Sequence, residues 1–349
     1  MSRNFMLRLL HIFILVLLCS SLAACSADDI TGAISDVRDT VEDAQLTPTA
    51  SSPTNTTVSS NTENSSSQGD ALEVIETVSH IPTRSEELVA QSAYICIDYS
   101  NADQGYIMVQ YLGSHTGQIK FQITGPDGLT YTFNLSAGQD FQTLPLTGGS
   151  GSYTLNTFEQ SEGTSYYTVD STTINASLID TMTTYLYPNQ FVYYTQDSSV
   201  VDLSIEAATG VYSEIDMISS IYYTAMDTVD YDYDLAEVIA GGGLVGYIPD
   251  LDSVISSGSG ICFDYAALMV AMLRIQELPA KLVIGYAGEA YHAWINVYTE
   301  ENGWIDGAIF FDGTSWSLMD PTFADTATNK SAINEFIGDG TNYTEKYVY

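Results

Sequence analysis

The sequence predicts an α+β protein: a small all-β sandwich domain over residues 92–180, then a C-terminal domain over 181–349 in which a core helix packs on an antiparallel sheet. Three observations carry this. Between Ala93 and Ile179 short alternating segments are separated by turn residues, beyond Tyr187-Pro188 apolar residues recur at helical spacing, and beyond Gln276 strand-like runs return. A hydrophobic fraction of 45% is that of a chain able to bury a core.

At the N-terminus, Arg3 and Arg8 precede an apolar run from Leu9 to Leu18 and small residues follow, the order of a secretory signal over residues 1–25. The run is too short for a comfortable membrane span. Leu22-Ala23-Ala24-Cys25 resembles a bacterial lipobox, which implies lipidation at Cys25 and a membrane partner held through N-terminal lipid chains. The expected location is then the extracellular face of the bacterial membrane or the cell envelope. From Ser26 to Gln91 the chain is rich in Ser, Thr, Asn and acidic residues, and Thr47 to Gln68 has almost no large apolar side chains. Such a segment buries too little to fold, so residues 26–91 are expected to form a flexible stalk, with at most a weakly helical piece around Asp28 to Ala44.

The sandwich is expected from Tyr94 to Ile97, Tyr106 to Val109, Ile119 to Ile123, Tyr131 to Leu135 and Tyr153 to Phe158, with turns at Gly125-Pro126-Asp127-Gly128 and Gly148-Gly149-Ser150-Gly151. Cys96 falls inside one of these strands and reads as a small buried apolar residue. Of the four cysteines, Cys19 and Cys25 lie in the signal. The remaining two are too few for a disulfide scaffold, although a Cys96–Cys262 bond stays open.

Charge narrows the partners. With 44 acidic against 9 basic residues the formal charge is -35, which repels nucleic acid and leaves no basic patch to bind it. A peptide or protein substrate, including a cationic one, is compatible with that field.

The C-terminal half carries the chemistry. Ser213-Glu214 opens a helix with Ile215, Ile218, Ile221, Tyr222 and Ala225 on one stripe, and another helix is expected near Asp234. Gly258-Ser259-Gly260 reads as a flexible approach to Cys262, which opens a helix apolar on most sides through Gln276. Unsatisfied N–H groups and the helix dipole at a first turn favour a thiolate there. The proton partner is chosen by elimination: His292 is the one histidine of this half, since His11, His80 and His115 lie in the signal, the stalk and the sandwich. Its segment, Tyr291 to Tyr298, alternates as a strand does. Asp320, fixed by Pro321, is placed to orient the imidazole, completing a nucleophile, base and carboxylate set. No metal-ligand spacing or phosphate-cradling loop is present in this region, so no cofactor is expected.

In order and spacing, Gly260-Ile261-Cys262-Phe263-Asp264-Tyr265-Ala266, Leu278-Pro279-Ala280, Gly285-Tyr286, His292-Ala293-Trp294, Gly303-Trp304 and Asp320-Pro321-Thr322 resemble the transglutaminase-like superfamily, over about Tyr231 to Phe323. The resemblance implies a papain-like, transglutaminase-like fold for the C-terminal domain. It also implies a Cys262, His292, Asp320 triad that attacks an amide carbonyl through an acyl-thioester, with water or an amine as acceptor. Asp264 and Tyr265 could support the cleft. Trp294, Trp304 and Trp316 are expected near the site, as core or as cleft walls. The competing reading is a surface adhesion or scaffolding protein with an inert domain of this fold.

Overall fold

The computed structural model of the protein describes residues 71–288, 290–306, 309–311, 316–318 and 343–349. The expected signal, Cys25, most of the expected stalk and Asp320 lie outside the described residues. Gly69–Ala236 and Val245–Tyr349 form one compact unit. Among the described residues no helix is long and apolar enough to cross a membrane.

Strands β1 (Val89–Gln91), β2 (Ile95–Asp98), β3 (Tyr106–Tyr111), β4 (Ile119–Thr124), β5 (Thr130–Leu135), β6 (Gln142–Pro145), β7 (Gly151–Gln160) and β8 (Tyr166–Ala176) make two antiparallel sheets. Their orders are β1-β2-β3-β6 and β5-β4-β7-β8. Alternation decides which side chains go inside: β4 buries Ile119, Phe121 and Ile123, and β5 buries Tyr131, Phe133 and Leu135 opposite them, with Phe121 paired to Phe133. Each such side chain contributes roughly 1.5–3 kcal/mol by leaving water. The β4–β5 hairpin turns at Asp127-Gly128, where Gly128 takes φ +82 and the Leu129 N–H donates to Asp127 Oδ1 at 3.0 Å.

Residues 72–91, inside the segment whose composition suggests a stalk, are held against the fold. Leu72 N donates to Val211 O at 2.9 Å, Ile75 exchanges backbone bonds with the Gln276 side chain, Val78 is buried, and β1 pairs with β2. Polar side chains from elsewhere in the fold, such as Gln196, Gln276, Asp98 and Ser100, satisfy the backbone of this segment, which composition does not reveal.

The second half contains α1 (Ser199–Ala208), α2 (Glu214–Thr228), β9 (Asp230–Tyr231), α3 (Tyr233–Ala240), α4 (Leu251–Ser257), β10 (Ser259–Gly260) and α5 (Cys262–Ile275). There follow β11 (Ala280–Ala287), β12 (Ala290–Thr299), β13 (Gly303–Ile305), β14 (Ile309–Phe311), β15 (Trp316–Leu318) and β16 (Tyr343–Val348). An antiparallel sheet runs β13-β12-β11-β16, and β14 pairs with β15. Helix α2 starts where Ser213 accepts from Asp216 N at 3.1 Å. Helix α5 is buried at every residue from Asp264 to Ile275 and packs against α1, α2 and α4 and against β11 and β12. A helix enclosed on all sides has to be apolar all round, and the run Ala266 to Leu273 is.

One buried cation sits in this core. Arg274 donates to Ala280 O through Nε at 3.0 Å and Nη2 at 2.8 Å, to Tyr187 O at 2.6 Å and to Tyr349 O at 2.8 Å. Burial pulls its pKa down to about 10, so it stays charged. Its fork joins the end of α5 to β11, to the chain before α1 and to the residue after β16. The sandwich and the helical half share one core, through Phe133 on Phe191 at 5.6 Å, Tyr131 on Tyr349 at 5.4 Å and Phe191 on Tyr349 at 4.6 Å.

Candidate active site

Cys262 is the first residue of α5, a free and partly exposed thiol; Cys96 is also free and is buried, so the bond between them is not formed. The approach to Cys262 is pinned, in contrast to the flexible reading of its glycines. Gly258 caps α4 with φ +64, β10 pairs in parallel with β9, Asp230 N donates to Gly258 O at 2.9 Å, and Asp232 N donates to Gly260 O at 2.8 Å. Gly260 has no room for a side chain, because a Cβ there would lie 2.8 Å from the Asp264 Cβ.

Asp264 secures the same turn from inside the helix. Its Oδ2 accepts from Ile261 N at 2.8 Å and its Oδ1 from the Tyr247 hydroxyl at 2.8 Å, while Tyr265 is anchored by its hydroxyl on Val229 O. Burial raises the Asp264 carboxyl to about 6, against the lowering effect of the two hydrogen bonds and with a further upward push from Asp232. Folded protein then holds more protons than unfolded chain between pH 3.8 and about 6, so this group's contribution falls as pH rises through that window. A shift of about two units amounts to on the order of 3 kcal/mol. Asp264→Asn should flatten that fall, as seen in thermal melts from pH 4 to 7; an unchanged slope would remove the assignment.

Helix α5 runs in the same direction as β12: its end is followed by Pro279, whose carbonyl accepts from Tyr298 N at 2.8 Å, so its beginning lies at the Tyr291–His292 end of the strand. Successive residues of β12 point to opposite faces. Ala293, Ile295 and Val297 enter the core that contains α5. Tyr291 shares their face, and its hydroxyl is raised by desolvation, by Tyr347 and Tyr286, and by Cys262, which places the phenol within electrostatic range of the sulfur.

His292 is buried and projects to the other face, with Trp294 stacked at 6.3 Å and Tyr343 at 6.5 Å. The fold thus brings Cys262 to the strand end that carries His292, and the face of β12 that meets α5 is occupied there by Tyr291. Trp304 lies toward the other end of β12, against Tyr298 at 5.7 Å, with Lys281 over its ring at 3.7 Å. It packs there and is no wall beside Cys262. Among the described residues no group of three His, Cys, Asp or Glu side chains is placed to hold a metal ion.

Residues 202–307 match the sequence model of the Transglutaminase-like superfamily, Transglut_core. This stretch is a transglutaminase-like domain. The match takes in Cys262 and His292 and stops before Asp320. Among solved structures, a protein titled a TGase is 20% identical, with 38% of this chain and 32% of that chain covered and a TM-score of 0.28. A proposed cysteine protease from Cytophaga hutchinsonii is 16% identical over 75% of this chain and 91% of its own, with a TM-score of 0.30. Red sea bream transglutaminase is 13% identical over 62% and 48%, with a TM-score of 0.26. The aligned part spans about a third of the first of these structures. No curated protein matches the sequence. The transglutaminase-like domain is therefore preceded by a β-rich region, in a mixed fold with several antiparallel sheets.

Two features of the site were not singled out as site features in the sequence. Tyr291 stands beside the histidine and reads as strand packing, and its place near the thiol follows only from the face that β12 turns to α5. Tyr247 is distant from any motif, and its bond to Asp264 depends on the path of the chain between α3 and α4.

Proposed function

We propose that the protein is a lipid-anchored thiol enzyme of the cell surface that attacks peptide or glutamine-type amides at Cys262. The observation that carries this reading is the placement of Cys262 as the first residue of the buried helix, at the His292 end of β12, within the stretch that matches the transglutaminase-like family. Sγ attacks the amide carbon, and an oxyanion forms for which the Cys262 backbone N–H is a donor. His292 passes the thiol proton to the departing amine or ammonia, leaving an acyl-thioester. Water, activated by the same imidazole, then releases a carboxylic acid and restores the thiol; an amine in place of water gives a new amide. Asp320 orients the ring.

Hydrolysis is favoured over transfer, because a transferring site has to exclude water and admit an amine, and no feature of the sequence requires that. Because the imidazole projects from the face of β12 opposite α5, proton transfer requires its side chain to swing around the Tyr291–His292 end of the strand. Lipobox-directed anchoring at Cys25 would hold the enzyme at the membrane face, on its stalk, with protein or peptide substrates outside.

The test is to incubate full-length protein with a glutamine-containing peptide, follow ammonia release, and measure iodoacetamide labelling of Cys262 in parallel. The proposal expects release that Cys262→Ala abolishes and labelling faster than a model thiol at neutral pH. Labelling no faster than that thiol, with Cys262→Ala behaving as wild type, would leave the inert surface protein as the reading.

A further inference from the structure

Away from Cys262, the connection between β3 and β4 helps frame a cleft of about 610 Å3, lined by Tyr94, Leu112, His115, Thr116 and Glu159 among others. Glu159 is its charged group. It is only 6% exposed, yet ionised: burial by itself pushes the carboxyl up, but hydrogen bonds from Tyr111 and Tyr167 and the nearness of His115 hold it below the usual range. The Tyr111 hydroxyl donates to Oε1, the Tyr167 hydroxyl donates to Oε2 at 2.5 Å, and His115 Nδ1 lies 3.9 Å from Oε2. Among the described residues His115 is the one ion-pair partner of Glu159, and no Lys or Arg neutralises it. His115 Nε2 is itself buried without a hydrogen-bond partner among the described residues.

We propose that this cleft binds an alkylammonium group, either a lysine side chain or a free aliphatic amine, with Glu159 as the counter-charge and Tyr94 and Leu112 as the walls. A carboxylate in a low-dielectric setting, bonded to two phenols and with a single histidine 3.9 Å away as its ion-pair partner, favours a further cation above it. The exposed Tyr94 ring offers a face to such a cation, and Leu112 matches a methylene stem. Each carboxylate oxygen already accepts one phenol, which leaves no open two-oxygen edge for the planar fork of a guanidinium and suits a point charge instead. The overall charge of -35 draws cations in and keeps anions out. The site stands apart from the chemistry proposed for Cys262 and holds whether or not that thiol is catalytic.

The experiment is calorimetric titration of the full-length chain with n-pentylamine and with acetyl-lysine amide, using n-pentanol and acetyl-norleucine amide as uncharged controls. Binding of the amines without binding of the controls is expected. Glu159→Gln should weaken it about tenfold or more, a charge-assisted contact having been lost. The tighter of the two amines identifies the source, free amine or peptide lysine. Tyr94 is exposed, so Tyr94→Ala tests the wall without burdening the fold, and a loss of several-fold is expected even if Glu159→Gln fails to fold. No amine binding at millimolar concentration, or wild-type affinity in both variants, would overturn the proposal by reducing it to general attraction to an acidic protein.

Discussion

Replacing His292 by alanine should lower amide turnover roughly a hundred- to ten-thousand-fold, the range removed when a positioned proton carrier is lost. The single substitution Cys262→Ala should be at least as severe, and the double variant no worse than Cys262→Ala alone, since residues that act as a unit do not add. Because His292 is buried against Trp294 and Tyr343, a loss of packing has to be separated from a loss of proton transfer. His292→Gln fills more of the space and should stay inactive with a melting temperature close to wild type. Recovery of activity in that variant would mean the imidazole serves packing, and the base is another group.

The largest effect on stability is expected at Arg274. Arg274→Met keeps the length and removes the fork, which orphans the buried Ala280 carbonyl, takes the Arg274 donor from the partly buried Tyr187 carbonyl and leaves Tyr349 O with Leu282 N alone. A buried acceptor left without its donor costs about 1 to 3 kcal/mol, and the Ala280 carbonyl loses both of its donors. Urea denaturation should show a lower midpoint with an unchanged slope, since the surface exposed on unfolding stays the same. Arg274→Lys should rescue only part of the loss, because an ammonium cannot span the acceptors that the guanidinium reaches. A change below about 1 kcal/mol in Arg274→Met would show that the junction of α5, β11 and the residue after β16 is held by apolar contacts alone.

The parts of this fold that were legible in the sequence are those with an unbroken period. In β12 the order Tyr291, His292, Ala293, Trp294, Ile295, Asn296, Val297 alternates over its whole length, and in α5 the run from Ala266 to Leu273 is too apolar for anything but a buried helix. Strand β8 has no clear alternation in the sequence because it lies at the edge of its sheet and is rich in Thr, Ser, Asp and Tyr, with only Ile174 and Ala176 buried. Helix α1 carries Ser and Asp among its apolar residues, and Ser204 uses its hydroxyl to reach Met272 O at 2.9 Å, a long-range partner with no local trace.

Glycine carries no local sign of whether it loosens a turn or fixes one. Gly258 and Gly260 read as flexibility, whereas Gly258 closes α4 and Gly260 leaves space for Asp264, so both serve a fixed turn before the thiol. The order of Cys262 and His292 was visible, but which face of β12 meets α5 was not, because two faces with Ala and Ile on one side and His and Trp on the other look equally buried in sequence. The shared core of Phe133, Phe191 and Tyr349 likewise joins residues far apart in the chain, which no local pattern records.

The most direct measurement is the mass of Cys262 during turnover. Full-length protein mixed with a glutamine peptide, quenched in acid and digested, should yield the peptide bearing residue 262 heavier by the substrate minus ammonia, and that adduct should disappear with time as water releases the acid. Its absence, together with amide turnover that persists when Cys262 is replaced by alanine, would contradict the account.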